Sequence, residues 1–329
     1  MTAKIHFVSA GAGSGKTHRL TEILHEQLTS GNTRPSGVIA TTFTRKAATE
    51  LRERARSHLL KQGAYLLAHA MGQARIGTVN SVCGGLLERF AFEAGLATEQ
   101  QVLEEAQAGV LIGHAIDAVR DGPQVAELLK IVQRLGIDDW QAELKDLVDQ
   151  VRANGIAPAL LNGFAIENAA DLLRHFPKAA KEDLSARLLA TIATAMLALV
   201  SAADGGKKNT NEYLVLVRDL EREVKTGRAP WSAWVKVAKK WPEVALKGVA
   251  EPINVAAARF AEHPGLHADV ADYLQRMFDL CSDALRTYAT AKREMGVLDF
   301  ADQEHLLLQV LDEAAVASTL DQKLDLLLV

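Results

Sequence analysis

Cysteine is nearly absent. Cys83 and Cys281 are the only two in 329 residues, far apart and without metal-ligand spacing. That pattern excludes a disulfide framework and predicts free thiols in a cytoplasmic chain. The ten histidines also lack a spacing such as His-x-x-x-His beside an acid, so no metal centre is expected. Charge of one sign is not in excess. The formal net charge is −4, which predicts no overall attraction to nucleic acid. Any nucleic-acid surface must therefore be a local basic patch. Long hydrophobic runs are missing too. No apolar signal segment of adequate length opens the chain. The longest apolar stretch, 188–200, is interrupted by Thr191 and Thr194 and reads as too short to cross a bilayer. It is expected to be a buried helix, with no membrane partner. No fixed-period repeat is present. The length allows two domains or one large one, and 48% hydrophobic residues can build a sizeable core.

What is present begins at residue 9. Ser-Ala-Gly-Ala-Gly-Ser-Gly-Lys-Thr, residues 9–17, has the form of a phosphate-binding loop. A triphosphate needs many donors at short range, and small residues let backbone N–H groups turn inward and approach it. Lys16 brings a point charge to the β- and γ-phosphates, and Thr17 brings a hydroxyl to Mg²⁺. A helix starting here adds the positive end of its dipole. The usual pattern opens with glycine where this chain has Ala10, a tolerated small substitute. Ile5, Phe7 and Val8 before the loop read as a buried strand, and Leu20, Ile23 and Leu24 after it recur at helical spacing.

Strands and helices then alternate. Residues 5–9, 38–42 and 75–78 read as strands. Residues 16–29, 47–61 and 81–92 read as helices. That order predicts a doubly wound parallel sheet whose ligands sit at the carboxyl ends of the strands, where Ser9, Thr42 and Thr78 fall. From about Thr98 to Leu285 the strand signal fades and alanine, leucine and charges at helical spacing take over. The best internal breaks there are 204–211 and His263-Pro264-Gly265. Alternation returns at the end. A helix over 285–295 is stopped by Gly296, a turn follows at 298–300, another helix covers 303–311, and 323–329 reads as a buried strand.

Three further segments carry a resemblance. Thr42-Phe43-Thr44-Arg45-Lys46-Ala47-Ala48-Thr49-Glu50-Leu51 resembles motif Ia of the UvrD/Rep superfamily 1 helicases, a segment that touches single-stranded DNA in that family. Phe43 offers a stacking face, and Thr44 and the backbone offer phosphate donors. Gly77-Thr78-Val79-Asn80-Ser81-Val82-Cys83 resembles the next DNA-contacting motif, commonly Gly-Thr-Ile/Phe-His-Ser-Phe-Cys in the RecB and AddA branch. Asn80 replaces the family histidine and keeps hydrogen-bonding capacity. Val82 replaces the aromatic and cannot stack. Tyr288 through Lys292 and Leu298-Asp299-Phe300-Ala301-Asp302 resembles the Tyr-x-x-x-Lys…Leu-Asp-Phe-x-Asp-Leu segment that precedes motif II.

The resemblance implies an α/β fold: a P-loop NTPase parallel sheet (RecA-like domain 1A, residues 1–97 and 285–329) with a large all-helical insertion (domain 1B, residues 98–284). It implies an ATP-dependent DNA helicase or translocase acting in DNA repair or recombination, with ATP and Mg²⁺ as cofactors. The implied partners are single-stranded DNA or DNA junctions, and also a nuclease or a second helicase subunit. The implied nucleotide set is Ser9, Ala10, Gly11, Ala12, Gly13, Ser14, Gly15, Lys16, Thr17 and His18. Lys16 and Thr17 are catalytic, and Thr17 is on the metal. The implied DNA set is Thr42, Phe43, Thr44, Arg45, Lys46, Thr78, Asn80 and Ser81. The motif II carboxylates and the domain 2A arginine of that family do not occur in this sequence. The chain is therefore expected to be a fragment or natural truncation that binds ATP weakly without unwinding DNA. The alternative is a non-catalytic DNA- or partner-binding module that keeps the loop as a nucleotide sensor.

Three remaining features have simpler readings. Residues 207–247 mix ten lysines and arginines with Trp231, Trp234 and Trp241. They form either a duplex-DNA surface or, on the stronger reading, a solvated helical face with tryptophans in the core. Asp299 and Asp302 look like a catalytic pair but are expected to be structural. Cys83 is expected to be a small buried filler.

Overall fold

The computed structural model describes residues 5–7, 16–97, 101–202 and 208–329, with only the backbone of Lys16, Thr17 and Ala202. Its regular elements run α1 (Lys16–Thr29), β1 (Val38–Thr42), α2 (Arg45–Lys61), α3 (Tyr65–Ala70), β2 (Arg75–Thr78) and α4 (Val79–Arg89). Next come β3 (Gln101–Val102), α5 (Glu105–Arg120), α6 (Gln124–Leu135), α7 (Trp140–Ala153), α8 (Leu161–Leu173) and α9 (Leu184–Ala202). They continue through α10 (Lys208–Lys225), α11 (Trp231–Lys239), α12 (Lys247–Ala258) and α13 (Pro264–Met295). The last are β4 (Val297–Leu298), α14 (Phe300–Leu311), α15 (Ala314–Lys323) and β5 (Leu326–Leu328). The chain divides into one unit of Met1–Ala108 with Lys292–Val329 and a second of Gly109–Ala291.

The first unit is built on a parallel sheet of order β2–β1–β5. Ile39 stands opposite Arg75 and Thr42 opposite Thr78, while Val38 stands opposite Leu326. Side chains alternate across a strand, so β1 feeds two cores. Val38 and Ala40 enter a cluster with Leu24, Leu51, Leu59 and Ile76. Ile39 enters another with Val82, Leu87, Phe90, Leu307 and Val316. Helices α1 to α3 thus cover one face, and α4, α14 and α15 the other. A parallel strand buried on both faces must read as a continuous apolar run, as Val-Ile-Ala does. The edge strand β5 is clasped at its start. Arg34 Nε and Nη2 donate to Asp325 Oδ2 and Oδ1, each at 2.8 Å, and the Asp325 N–H donates to Gly37 O at 2.8 Å. Gly37 must be glycine because a Cβ there would run into the Asp325 carboxylate.

Two expectations for this unit change. Residues 5–7 are not strand, and Ile5 and Phe7 are 94% and 91% exposed. Apolarity buries a segment only where a ladder partner receives it, and none of the described strands pairs there. Val8 and Ser9, the rest of that expected strand, lie outside the described residues. The terminal strand is shorter than 323–329: Lys323 ends α15, and Leu327 is half exposed while Leu328 is buried. Helix α15 itself has no counterpart among the elements expected from the sequence.

The second unit is all helix and holds two cores. One joins α5 to α8 with α13 around Leu128, Leu144, Val148, Leu280 and Cys281. The other joins α9 to α12 around Leu188, Ile192, Tyr213, Val217, Trp234 and Ile253. Asn254 ties the latter together: it accepts the Tyr213 hydroxyl at 2.7 Å and donates to Lys240 O at 2.8 Å. Asp269 receives both arms of Arg134, at 2.9 and 2.6 Å, and the Trp231 indole N–H at 2.8 Å. All four tryptophans lie in this unit. Trp234 is buried, Trp231 partly so, and Trp241 is 37% exposed with Lys247 over its ring. Lys225, Lys240 and Arg222 are paired with Glu221, Glu212 and Asp219. That arrangement matches the solvated-face reading.

Two corrections belong here. Lys208 to Asn211, expected in a loop, open α10. The apolar stretch read as too short to span a membrane is longer than it looked, because Leu184–Ser201 passes by length and composition. Nor is it the buried helix expected: Leu188, Ile192, Ala195 and Leu199 recur at helical spacing and pack in the core, but Leu197 and Val200 are exposed, so α9 buries one stripe only.

Candidate nucleic-acid interface

The carboxyl ends of β1 and β2 deliver their chains into helix starts. At the first, Thr44 caps α2 by accepting the Ala47 N–H at 3.1 Å, and Thr42 Oγ1 donates to Thr44 O at 3.0 Å. At the second, Thr78 caps α4 by accepting the Ser81 N–H at 3.2 Å, and Ser81 Oγ returns a bond to Thr78 O at 2.9 Å. Threonine suits both positions, since its hydroxyl satisfies a donor that the first helical turn leaves open. A Cβ on Gly77 would meet Ser81 Oγ, so a larger residue there would push that hydroxyl off Thr78 O. The Arg52 guanidinium donates to Ile76 O and fixes α2 against β2.

Between these two helix starts lies an open groove of ≈ 530 Å³. It gathers Phe43, Arg45, Thr78, Asn80 and Ser81 from the two motifs. Phe43 is 98% exposed. Thr42, Thr44 and Lys46, expected in the same set, do not line it. The first two are used in the local turn and cap, and Lys46 is exposed on α2. Val82 is buried in the core rather than facing the groove.

The far wall comes from residues that the motifs did not mark: Gly84, Gly85 and Glu88 of α4, Val102 of β3, and Phe300 and Gln303 of α14. The first turn of α14 is held firmly. Asp299 accepts the Asp302 N–H at 2.8 Å while Asp302 accepts the Asp299 N–H at 2.9 Å, a reciprocal capping box. Lys292 Nζ lies 3.1 Å from Asp299 and also contacts Asp302. The Asp pair thus has a structural assignment: a buried lysine and a helix cap. Two signals could have revealed this wall. One is a Gly-Gly pair inside a helix, and the other is glutamine where the motif resembled has leucine.

Of the nucleotide set, Ser9 to Gly15 lie outside the described residues. Lys16 and Thr17 are seen as the first backbone turn of α1. His18 is exposed, 3.4 Å from Glu22, and lines a separate ≈ 300 Å³ hollow with Arg54, His58 and Lys61. Among the described residues no cluster of histidine, cysteine and acid could hold a metal ion. Cys83 is half-buried, and burial pushes its thiol up; Cys281 is fully buried and pushed up to about 12. Neither is poised as a nucleophile.

A parallel, doubly wound sheet with capped helix starts and an exposed aromatic at its strand ends defines an α/β protein with an open groove at the carboxyl end of its sheet. The chain belongs to the UvrD/REP helicase N-terminal domain family, whose match runs over residues 1–329. Among similar proteins is an ATP-dependent helicase/nuclease subunit of Pelotomaculum thermopropionicum, 28% identical across 93% of this chain and 28% of its own length. DNA helicase II of Haemophilus influenzae is 37% identical across 30% of the chain and 13% of its own length. The ATP-dependent DNA helicase SRS2 of Saccharomyces cerevisiae is 28% identical across 46% and 13%. The chain thus spans less than a third of the length of these relatives.

Proposed function

We propose that this chain is the N-terminal motor portion of an ATP-dependent DNA helicase or translocase, and that its groove carries single-stranded DNA. The observation supporting this reading is the convergence of Phe43, Arg45, Thr78, Asn80 and Ser81, drawn from two separated motifs, on one groove. An exposed ring offers a base a stacking face, and the capped helix starts and Arg45 offer the backbone donors and charge. On the family's plan the sheet unit is domain 1A and the helical unit is domain 1B. A role in repair or recombination, a cytoplasmic location, and partnership with a nuclease or a second helicase subunit belong to the same proposal. The partnership rests on relatives named as helicase/nuclease subunits.

The same reading assigns ATP and Mg²⁺ to residues 9–18. The donor set fits, because the glycine-rich segment runs straight into the N-terminus of α1 at Lys16. Lys16 would hold the β- and γ-phosphates and Thr17 the metal. When bound, Mg²⁺ supplies positive charge against the oxygens that gain charge in phosphoryl transfer. Asp299 and Asp302 are held by Lys292 and by the α14 cap, so they do not serve as the carboxylates that such a site needs. This stretch alone is therefore proposed to bind ATP with little turnover.

The test is ATP binding and turnover by this chain with and without single-stranded DNA, beside Lys16→Ala. Binding that is lost in the variant, with negligible turnover, supports the proposal. Failure of the unmodified chain to bind nucleotide sinks the ATP assignment. Brisk Lys16-dependent turnover overturns the claim that this stretch is inactive.

A further inference from the structure

Gln303 is 6% exposed as a whole residue, its side-chain amide takes part in no hydrogen bond among the described residues, and the amide opens onto the groove rather than being sealed in the core. An amide in that position is hydrated and can exchange its water for a ligand. Gln303 sits in the rigid first turn of α14 and lines the groove with Phe43 and Asn80. A Cβ on Gly84 would come within 2.9 Å of Gln303 Nε2, so the glycine makes room for the amide. Gly85 has a different standing. A Cβ there would meet nothing within 4 Å, so no packing demands glycine, although glycine inside a helix is unfavourable. The wall is thus kept low beside an amide that faces the groove.

We propose that Gln303, over the Gly84-Gly85 floor, hydrogen-bonds the edge of an unstacked base of single-stranded nucleic acid. This rests on the reading of the groove as the strand's path. An amide carries a donor and an acceptor side by side, which matches a base edge. A phosphate asks only for donors, and Glu88 on the same wall repels it. Phe43 supplies the face on which the base stacks, and Arg45 is placed for the backbone. The family pattern has an apolar leucine at this place, so the polar contact is a property of this chain.

The probe is a short oligothymidine labelled for fluorescence anisotropy, alongside the same oligomer carrying difluorotoluene, an apolar isostere of thymine. The unmodified chain is expected to bind the isostere about fivefold more weakly. Gln303→Leu is expected to bind both oligomers alike. Gly85→Leu, which fills the groove without touching the amide, is expected to weaken both, with circular dichroism confirming the fold of each variant. Equal discrimination by the unmodified chain and by Gln303→Leu overturns the inference and leaves the groove reading intact. Absence of binding by the unmodified chain, or binding untouched by Arg45→Ala and Phe43→Ala, overturns the groove reading and the inference with it.

Discussion

At Phe43 the chain leaves a phenyl ring almost wholly in water, at 98% exposure, and nothing in the fold depends on it. Truncation should therefore leave stability unchanged. Phe43→Ala is expected to weaken binding of a single strand by ~1–3 kcal/mol, the worth of one stacked base, with an unchanged melting temperature. A fall in both would mean that the ring serves packing. Asp299 is the reverse case, at 1% exposure. Asp299→Ala removes a helix cap and one carboxylate from buried Lys292, so a loss of about 3 kcal/mol in urea denaturation is expected. Phe43 and Gln303 show what a sequence does and does not disclose. Phe43 was marked as a candidate because Thr-Phe-Thr-Arg-Lys names its chemistry. Gln303 was not, because its partners across the groove lie in α4, near the other end of the chain, and only folding brings them together.

Among the elements, α4 carries a test of its own. Gly84 and Gly85 are neighbours in one helix with opposite surroundings. Gly85→Ala is expected to stabilise by about 1 kcal/mol through helix propensity alone. Gly84→Ala should gain less, since its methyl group must push the Gln303 amide aside. Thermal melts of the two variants check the contrast. Strands β1 and β2 were readable to the residue because short apolar runs stood between turn signals and helical periodicity. The same signal misled at residues 5–7, where pattern was present without a described partner. Helix α15 went unread because Ala-Ala-Val-Ala-Ser-Thr offers only Val316 as a fully buried anchor and so leaves no clear stripe.

The molecule as a whole should respond to acid. Burial lowers the pKa of His263 below its ordinary 6.5, outweighing Asp183 and Asp269, which act to raise it. Its ring is held on both sides: Nδ1 accepts the Gly265 N–H at 2.9 Å and Nε2 meets Ser185 Oγ at 2.9 Å. Trp231 and Trp234 pack against it. His25 shifts the same way, from burial first and then from His58. An unfolded histidine takes its proton near pH 6.5 while these two resist it, so the unfolded state binds more protons below that pH. Stability should be full above about pH 6.5 and decline as the pH falls, until the folded rings also protonate. Urea midpoints at pH 8, 6 and 5 check the slope, and His263→Gln should flatten part of it. Asp325 acts lower: Arg34 holds its carboxyl below 3.8, so its contribution persists above that pH and is lost as the pH drops through the folded value. The structure divides at 108/109 and 291/292, whereas strand signal in the sequence fades near Thr98 and returns after Leu285. The ion pair and packed rings behind the acid response were invisible, because each joins residues far apart in sequence.

All four tryptophans belong to the helical unit, and the sheet unit has none. Intrinsic emission excited at the red edge therefore comes from one half of the protein, and the groove and the phosphate-loop helix are optically dark. A denaturation curve followed by that emission reports the helical unit alone. A signal for the strand-binding side has to be introduced, and the exposed ring at position 43 is where an indole would cost the fold least.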